Sequence, residues 1–226
     1  MTSKIERIST GVEGLDKLME GGIPKGSSLL ISGAPGTGKS TLASQFIETG
    51  LQNGEKCCYV SIEQDRDSIL MQNQRLGIFK DKEPEILTLK DLKSDVLKTK
   101  PKTREDLTNI ILDKIESMNP DRVVLDSINA LMLEDSQDNR EVSRKICRKL
   151  TDDSTTAILI GEALSGDYPD EYTPFLMDGA IVLYYINFGP QTGRSLLIKK
   201  MRFTEHSEDI HPIKISTGKG FQVIGQ

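Results

Sequence analysis

The hydrophobic pattern alternates between two kinds of segment over most of the chain. Short apolar runs rich in β-branched residues predict strands at 29–32, 57–62, 85–89, 122–126 and 156–160. Between some of them, apolar positions recur at helical spacing, most clearly over 104–118 and 138–150. Strands that alternate with helices are typical of βαβ units, so the sequence predicts an α/β fold with a mostly parallel, twisted sheet flanked by helices.

The pattern changes after residue 178. Two apolar runs, 179–186 and 194–203, are separated by a turn rich in Gly and Pro, which predicts a β-hairpin. A second hairpin is predicted from the runs 210–216 and 221–224. We therefore expect C-terminal antiparallel β-hairpins to extend the parallel sheet.

The composition fits one domain spanning residues 1–226. The chain is 36% hydrophobic and 28% charged, which is typical of soluble domains. Its longest apolar run, 180–186, is far shorter than the roughly 20 residues of a membrane-spanning helix. The charged N-terminus is followed by no apolar stretch, so we expect no secretory signal and a cytoplasmic protein. The cysteines, Cys57, Cys58 and Cys147, lack metal-ligand spacing and are expected in the core.

The charge excludes one class of protein. The chain has 29 Lys and Arg against 34 Asp and Glu, a formal net charge of −5. Binding to nucleic acid that is driven by counterion release requires a strongly basic surface, so a generally basic nucleic-acid binder is excluded. The net charge leaves a local basic patch open.

The most specific motif lies at 33–40, which reads Gly-Ala-Pro-Gly-Thr-Gly-Lys-Ser and fits the phosphate-binding loop G-x-x-x-x-G-K-[ST]. The predicted strand 29–32 precedes it, and a helix is predicted over 39–50. Backbone N–H groups of such a loop surround phosphates, and the positive end of the helix faces them. Lys39 is expected to reach the β- and γ-phosphates of ATP, and Ser40 to bind Mg²⁺.

Two acids are candidates for the rest of the site. Asp126 ends a buried apolar strand, where a P-loop protein places the carboxylate that holds hydrated Mg²⁺; the alternative is a helix N-cap. Glu63 follows the strand 57–62 and is expected at the same edge of the sheet. Its carboxylate could accept a proton from the attacking water, although spacing alone fits a surface acid equally well.

The motifs together resemble a family, the KaiC-like branch of the RecA-type ATPases. The resemblance extends from residue 8 to residue 224. It rests on segments that occur in family order, namely 9–18, 21–26, the P-loop, Glu63-Gln64, Asp126-Ser127, Glu162, 178–183 and 200–206.

The resemblance implies a single-domain ATPase that forms a homo-oligomeric ring, expected to be a hexamer, with ATP between neighbouring subunits. It implies slow, Mg²⁺-dependent hydrolysis that serves an unknown regulatory or signalling partner. Glu63 would activate water, and Lys39, Lys200 and Arg202 would act on the phosphates. The nucleotide-binding residues that it implies are Gly33, Gly36, Thr37, Gly38, Lys39, Ser40, Thr41, Asp126, Lys200, Arg202, His206, Ser216 and Thr217. Ser40 and Asp126 would bind the metal.

The cations Lys200, Arg202 and His206 are implied to reach the γ-phosphate of the ATP held by the adjacent subunit. The residues support part of this independently, because Lys200 and Arg202 are two apart on a predicted strand and share one face. A cation supplied from a neighbouring chain can stabilise a transferred phosphoryl group. Without the resemblance, an exposed basic strand face is the simpler interpretation.

The chain departs from the family in two places. It has Glu63-Gln64 where paired glutamates are frequent, which leaves the base in place but changes its surroundings. Pro174 and Phe175 fall where the circadian clock protein is autophosphorylated, so no autokinase activity is expected there. Tyr172 and Thr173 remain conceivable acceptors.

Two other functions remain alternatives. In a RecA- or RadA-like DNA-binding recombinase, the loops at 131–138 and 163–172 would contact DNA. Both loops are acidic and would repel phosphate, so we expect no nucleic-acid partner. The other alternative is an ATP-sensing assembly module of the archaeal motility motor, in which nucleotide binding matters more than turnover.

Overall fold

The computed structural model describes residues 5–92, 103–132, 138–150, 155–163, 165–188 and 191–225. The strands are β1 Arg7–Ile8, β2 Ile23–Pro24, β3 Ser28–Gly33, β4 Cys57–Ser61, β5 Glu85–Thr88, β6 Arg122–Asp126, β7 Thr156–Glu162, β8 Gly179–Phe188, β9 Gln191–Met201, β10 His211–Ser216 and β11 Gly220–Val223. The helices are α1 Lys39–Gln52, α2 Arg66–Leu76, α3 Arg104–Met118, α4 Asp138–Leu150 and α5 Thr173–Leu176, with 3₁₀ turns at Asp16–Met19 and Ile128–Leu131.

The main sheet has the order β11-β10-β9-β8-β3-β7-β6-β4-β5. The strands from β8 to β5 in this order are parallel, whereas β9, β10 and β11 are antiparallel to their neighbours. This confirms the mostly parallel α/β sheet with a C-terminal antiparallel extension. β1 and β2 form a separate antiparallel pair.

Helices cover both faces of the sheet because the central strands are apolar on both sides. On β3, Leu29 and Ile31 pack in one core with Phe46 of α1. Leu30, between them, points to the opposite face and packs in a second core with Ile146 of α4. Within the described ranges, none of the helices is long and apolar enough to cross a bilayer.

Several element boundaries differ from the predicted ones. β8 runs to Phe188 and β9 starts at Gln191, so the connection between them is shorter than predicted. β9 ends at Met201 rather than at residue 203, and Arg202 lies in a turn. Phe203 has φ of +57°, a left-handed conformation that ends a strand.

Helix α2 was not predicted because its apolar positions are few. Its end signals are nevertheless present in the sequence. The Asp65 side chain accepts a hydrogen bond from the Ser68 amide at the N-terminus of the helix, and Gly77 follows the last turn with φ of +90°. These signals would have identified α2 without an apolar stripe.

A buried arginine joins several elements below the sheet. Arg122 of β6 is 1% exposed and forms an ion pair with Glu55. Its guanidinium also donates to the carbonyl oxygens of Ser9, at 2.7 Å, and Phe46, at 2.9 Å. It lies 4.7 Å from the centroid of the Phe46 ring. One side chain thus links the N-terminal segment, α1 and the sheet.

Replacing this arginine is expected to destabilise the protein. Arg122→Ala leaves the carboxylate and both carbonyls without their donor, and we expect the free energy of unfolding to fall by about 3 kcal/mol. Urea unfolding would measure the change. Arg66→Ala is the matched control, because Arg66 pairs with Glu83 at the surface, and we expect a loss below about 1 kcal/mol. Equal losses for the two variants would contradict a structural role for Arg122.

Candidate active site

The P-loop connects β3 to α1 and depends on its glycines. Gly33, Gly36 and Gly38 have φ of +148°, +78° and +110°, which side chains disfavour. A Cβ atom on Gly33 would lie 2.3 Å from the carbonyl oxygen of Leu183, which leaves no room for one. Gly38 immediately precedes α1, so the loop leads directly into the positive end of that helix.

Lys39 lies inside the loop and is 6% exposed. Its Nζ donates hydrogen bonds to the carbonyl oxygens of Gly33, at 2.9 Å, and Ala34, at 3.1 Å. The Oε1 atom of Glu162 lies 3.9 Å from Nζ. Burial lowers the pKa of Lys39, and the nearby Glu162 carboxylate opposes this shift. A buried ammonium held mainly by backbone carbonyls is suited to receive a phosphate.

Asp126 ends β6 beside Ser61 of β4. Its Oδ2 accepts a hydrogen bond of 2.6 Å from the hydroxyl of Tyr59. Burial raises the pKa of Asp126, whereas hydrogen bonds from Tyr59 and Ser40 lower it. The hydroxyl of Ser40, in the first turn of α1, therefore lies next to this carboxylate. Carboxylate and hydroxyl oxygens are ligands that Mg²⁺ prefers, so this pair of donors fits the metal.

Glu63 lies at the same edge of the sheet as Asp126, as the sequence predicted. The amide of Ile62 donates to the carbonyl oxygen of Asp126 at 2.9 Å, which joins the ends of β4 and β6. The hydroxyl of Ser127 donates to Glu63 Oε1 at 3.0 Å. The carboxylate is thus held in place by a neutral donor and has a second oxygen that could accept a proton.

A third acid, Glu162, enters this edge. β7 is two residues longer than predicted, and its last residue, Glu162, pairs with Gly33 of the P-loop. Asn129 exchanges two hydrogen bonds with the Glu162 backbone, at 3.0 and 2.7 Å. The sequence included Glu162 only in the family pattern, without a role. Its position after a buried strand, like that of Asp126, was the available signal.

The C-terminal hairpins pack against the loop of the same chain. The side chains of Tyr185 and Arg194, which face each other on β8 and β9, donate to the carbonyl oxygen of Gly36 at 2.7 and 3.0 Å. Nothing in the sequence pattern indicates this contact, because it arises only when the sheet forms. Near Gly38 lie the side chains of Ile215 and Phe221.

This packing brings the turn after β10 close to the P-loop. Ser216 ends β10, directly after Ile215, and its hydroxyl donates to Gln222 at 3.2 Å. Thr217 follows in an exposed turn. Both predicted residues therefore lie on the P-loop side of the same chain, as does the partly buried Thr41 of α1.

Lys200 and Arg202 lie at the opposite edge of the sheet from the P-loop, where the parallel strands begin. The Nζ of Lys200 donates to the carbonyl oxygens of Pro174, at 3.2 Å, and Met177, at 2.6 Å. Arg202 forms an ion pair of 2.9 Å with Asp178. Burial lowers the pKa of Lys200, and the charge of Arg202 acts in the same direction.

The distance from these cations to the P-loop follows from the strand register. Asp178 accepts a hydrogen bond from the amide of Ser28, the first residue of β3, whereas the P-loop starts at Gly33, the last. Five residues of strand separate the two ends by about 16 Å. His206 lies beside the first 3₁₀ turn, because the amide of the next residue, Ser207, bonds to Leu18. One chain therefore does not bring Lys200 and Arg202 to its own P-loop.

The conceivable phosphate acceptors differ in access. Thr173 is fully buried, and its hydroxyl lies 3.0 Å from that of Ser143. Tyr172 is 37% exposed, and its ring lies under the guanidinium of Arg140. Of the two acidic loops, residues 133–137 and 164 lie outside the described residues. Asp167, in the second loop, forms an ion pair with Lys199.

A mostly parallel sheet with a phosphate-binding loop after its central strand, and acids at the ends of neighbouring strands, defines a RecA-type P-loop protein. Comparison with known families makes this more specific. A family model described as the KaiC ATPase matches residues 8–226, so the chain belongs to the KaiC family of ATPases.

Several relatives are archaeal proteins of similar length. The chain is 31% identical to the UPF0273 protein PF1931 of Pyrococcus furiosus, over 97% of this chain and 94% of that protein. It is 29% identical to the circadian clock protein KaiC3 of Synechocystis, over 92% of this chain but 42% of that protein. The crystal structure of the KaiC-like protein PH0186 from Pyrococcus horikoshii superposes with a TM-score of 0.81 at 30% identity, covering 98% of this chain and 100% of that one.

Proposed function

We propose that this protein is an Mg²⁺-dependent ATPase that hydrolyses ATP to ADP and phosphate between the subunits of a ring. The observation that carries the proposal is the separation of its charged groups. Lys39, Ser40, Asp126 and Glu63 meet at one edge of the sheet, whereas Lys200 and Arg202 lie at the other. This arrangement supports a site completed by a second copy of the chain.

The P-loop edge supplies the groups that bind nucleotide and metal. The backbone N–H groups of the loop from Gly36 to Thr41 would bind the phosphates, with Lys39 as the buried cation. Ser40 and Asp126 would hold Mg²⁺, which when bound neutralises charge on the phosphates. Ser216 and Thr217 would line the nucleotide from the adjacent turn.

Glu63 is the general base in this proposal. Its carboxylate would accept a proton from the water that attacks the γ-phosphate. Ser127 orients it by donating to Oε1, which leaves Oε2 for the water. The two acids have different tasks in this proposal: Asp126 would hold Mg²⁺, and Glu63 would accept the proton of the attacking water.

The opposite edge has the properties of a contact surface. Arg202 donates to the carbonyl oxygen of Phe175 at 3.5 Å and directly precedes Phe203, and the side chains of Phe175 and Phe203 are 77% and 73% exposed. Exposed aromatic groups that adjoin a positioned cation are typical of interfaces. A head-to-tail contact that brings this edge to the P-loop of the next copy would close into a ring, for which we propose six subunits. Lys200, Arg202 and His206 would then face the γ-phosphate.

The output of the cycle is proposed to be regulatory. One relative carries the name of a circadian clock protein, which supports a regulatory role. In this proposal, slow hydrolysis changes the binding of a partner protein. Pro174 and Phe175 have no hydroxyl group, so neither can accept a phosphoryl group. Binding of the partner would depend on the nucleotide bound to the ring rather than on phosphorylation at these two positions.

The proposal is tested first by nucleotide binding. Lys39→Ala removes the only buried ammonium in the described part of the P-loop, and we expect the affinity for MgATP to fall at least about 10-fold. Titration calorimetry with a non-hydrolysable ATP analogue would measure it. Lys82→Ala is the control, since Lys82 donates to a carbonyl oxygen at the surface, that of Leu51. Wild-type affinity in Lys39→Ala would overturn the proposed site.

A further inference from the structure

A tyrosine hydroxyl lies buried directly beneath the proposed metal site. Tyr59 of β4 is 2% exposed, and its ring packs in the same core as Phe46 and Ile31. Its strand neighbours Cys58 and Val60 are apolar and buried. A buried phenol requires a polar partner, and Tyr59 finds it in Asp126, whose Oδ2 accepts its hydrogen bond at 2.6 Å.

The geometry of this bond has a directional consequence. The Tyr59 hydroxyl is held by the core, so it fixes the rotation of the Asp126 carboxylate and occupies part of Oδ2. Oδ1 does not accept this bond, and the Ser40 hydroxyl lies next to the same carboxylate. Bonds from a neutral donor to a carboxylate are short and strong, which fits the observed distance.

The hydrophobic core would be filled equally well without this hydroxyl. A phenylalanine at residue 59 would fill the same space between β4 and α1, and Asp126 would keep its backbone position in β6. The hydroxyl therefore adds nothing to apolar packing. Its hydrogen bond goes to the carboxylate that the proposed function assigns to the metal, and the Ser40 hydroxyl lies next to both groups.

We propose that Tyr59 is a positioning residue that orients Asp126 for Mg²⁺. This inference rests on the proposed function, because it assumes that Asp126 holds the metal. Groups that orient a metal ligand from behind commonly change metal affinity by about 10- to 100-fold. Tyr59 thereby sets the Mg²⁺ concentration at which the site works, while the P-loop sets the affinity for the nucleotide itself.

The test is the Mg²⁺ requirement of Tyr59→Phe. We expect the Mg²⁺ concentration for half-maximal binding of a non-hydrolysable ATP analogue to rise about 10-fold or more. Mn²⁺ titration followed by electron paramagnetic resonance would show the same loss without any turnover. Binding of the analogue in the presence of EDTA is expected to stay at the wild-type level, and circular dichroism would verify folding.

Two further variants separate positioning from general damage. Tyr184→Phe is the matched control, because the Tyr184 hydroxyl donates to another aspartate, Asp167, at 2.8 Å, and we expect no change in the Mg²⁺ requirement. If Tyr59 acts through Asp126, adding Tyr59→Phe to Asp126→Asn should weaken metal binding no further. Additive losses would overturn the inference.

The outcomes distinguish this inference from the proposed function. An unchanged Mg²⁺ requirement in Tyr59→Phe, with Mg²⁺-dependent binding in the wild type, would overturn the role of Tyr59 alone. Equal loss of binding with and without Mg²⁺ would overturn it too, because the effect would then not concern the metal. A wild-type protein that binds the analogue without any response to Mg²⁺ would overturn both.

Discussion

Glu63→Gln is expected to reduce ATP hydrolysis by about 10²- to 10⁴-fold while leaving ATP binding intact. The amide has nearly the shape of the carboxylate, and its oxygen can still accept the hydrogen bond from Ser127. It cannot accept a proton from water. The loss would therefore fall on the chemical step, and the nucleotide would remain bound at wild-type affinity.

Phosphate release at saturating MgATP, together with analogue binding, would measure this effect. Glu162→Gln is the informative comparison, because Glu162 is the rival acid at the same edge, 3.9 Å from Lys39 Nζ. We expect a smaller loss in that variant, since Glu162 adjoins the lysine rather than holding the water. A larger loss in Glu162→Gln would transfer the role of base to Glu162. Wild-type turnover in Glu63→Gln would remove Glu63 from the mechanism.

The residues that the sequence located at the P-loop edge are those that follow from local rules. The G-x-x-x-x-G-K-[ST] pattern specifies a loop whatever surrounds it, Asp126 ends an apolar strand, and Glu63 closely follows another. In a parallel sheet, the ends of neighbouring strands meet at one edge, so the strand pattern alone places these acids together. Their meeting at the P-loop needed no knowledge of side-chain packing.

The residues that the sequence missed depend on contacts between distant segments. Tyr59 is indistinguishable from a core residue until β4 and β6 are paired in register, and only then does its hydroxyl reach Asp126. Tyr185 and Arg194 reach Gly36 only through the β8–β9 hairpin. Tertiary packing determines these contacts, so they cannot be predicted from a short sequence motif.

The prediction that Lys200 and Arg202 share one face of a strand was wrong. β9 ends at Met201, so Arg202 does not lie on the strand. A register shift also occurs next to Lys200, where β8 continues from Ala180 to Ile181 while β9 skips a residue. Both side chains still converge, on the segment from Pro174 to Asp178, because the chain turns after the strand.

The position of Arg202 allows a direct test of whether two subunits form one active site. Arg202 pairs with Asp178 beside the first residue of β3, and the P-loop begins about 16 Å away at the last residue of that strand. Removal of Arg202 should therefore leave the affinity of an isolated chain for ATP unchanged. Hydrolysis that depends on assembly should fall by about 10³-fold in Arg202→Ala, the effect of losing a cation that stabilises phosphoryl charge. Arg144→Ala, which removes an arginine that pairs with Glu141 on α4, should keep the wild-type rate.

Mixing two inactive variants would show that the cation acts between chains. In a ring assembled from Arg202→Ala and Glu63→Gln, some contacts join an intact P-loop edge of the first variant to an intact Arg202 of the second. Random assembly of equal amounts makes about a quarter of the contacts complete, so turnover should recover to about a quarter of the wild-type rate. If Arg202 served its own chain, every site would lack one group. Mixing would then restore nothing, and a rate independent of protein concentration would confirm that each chain works alone.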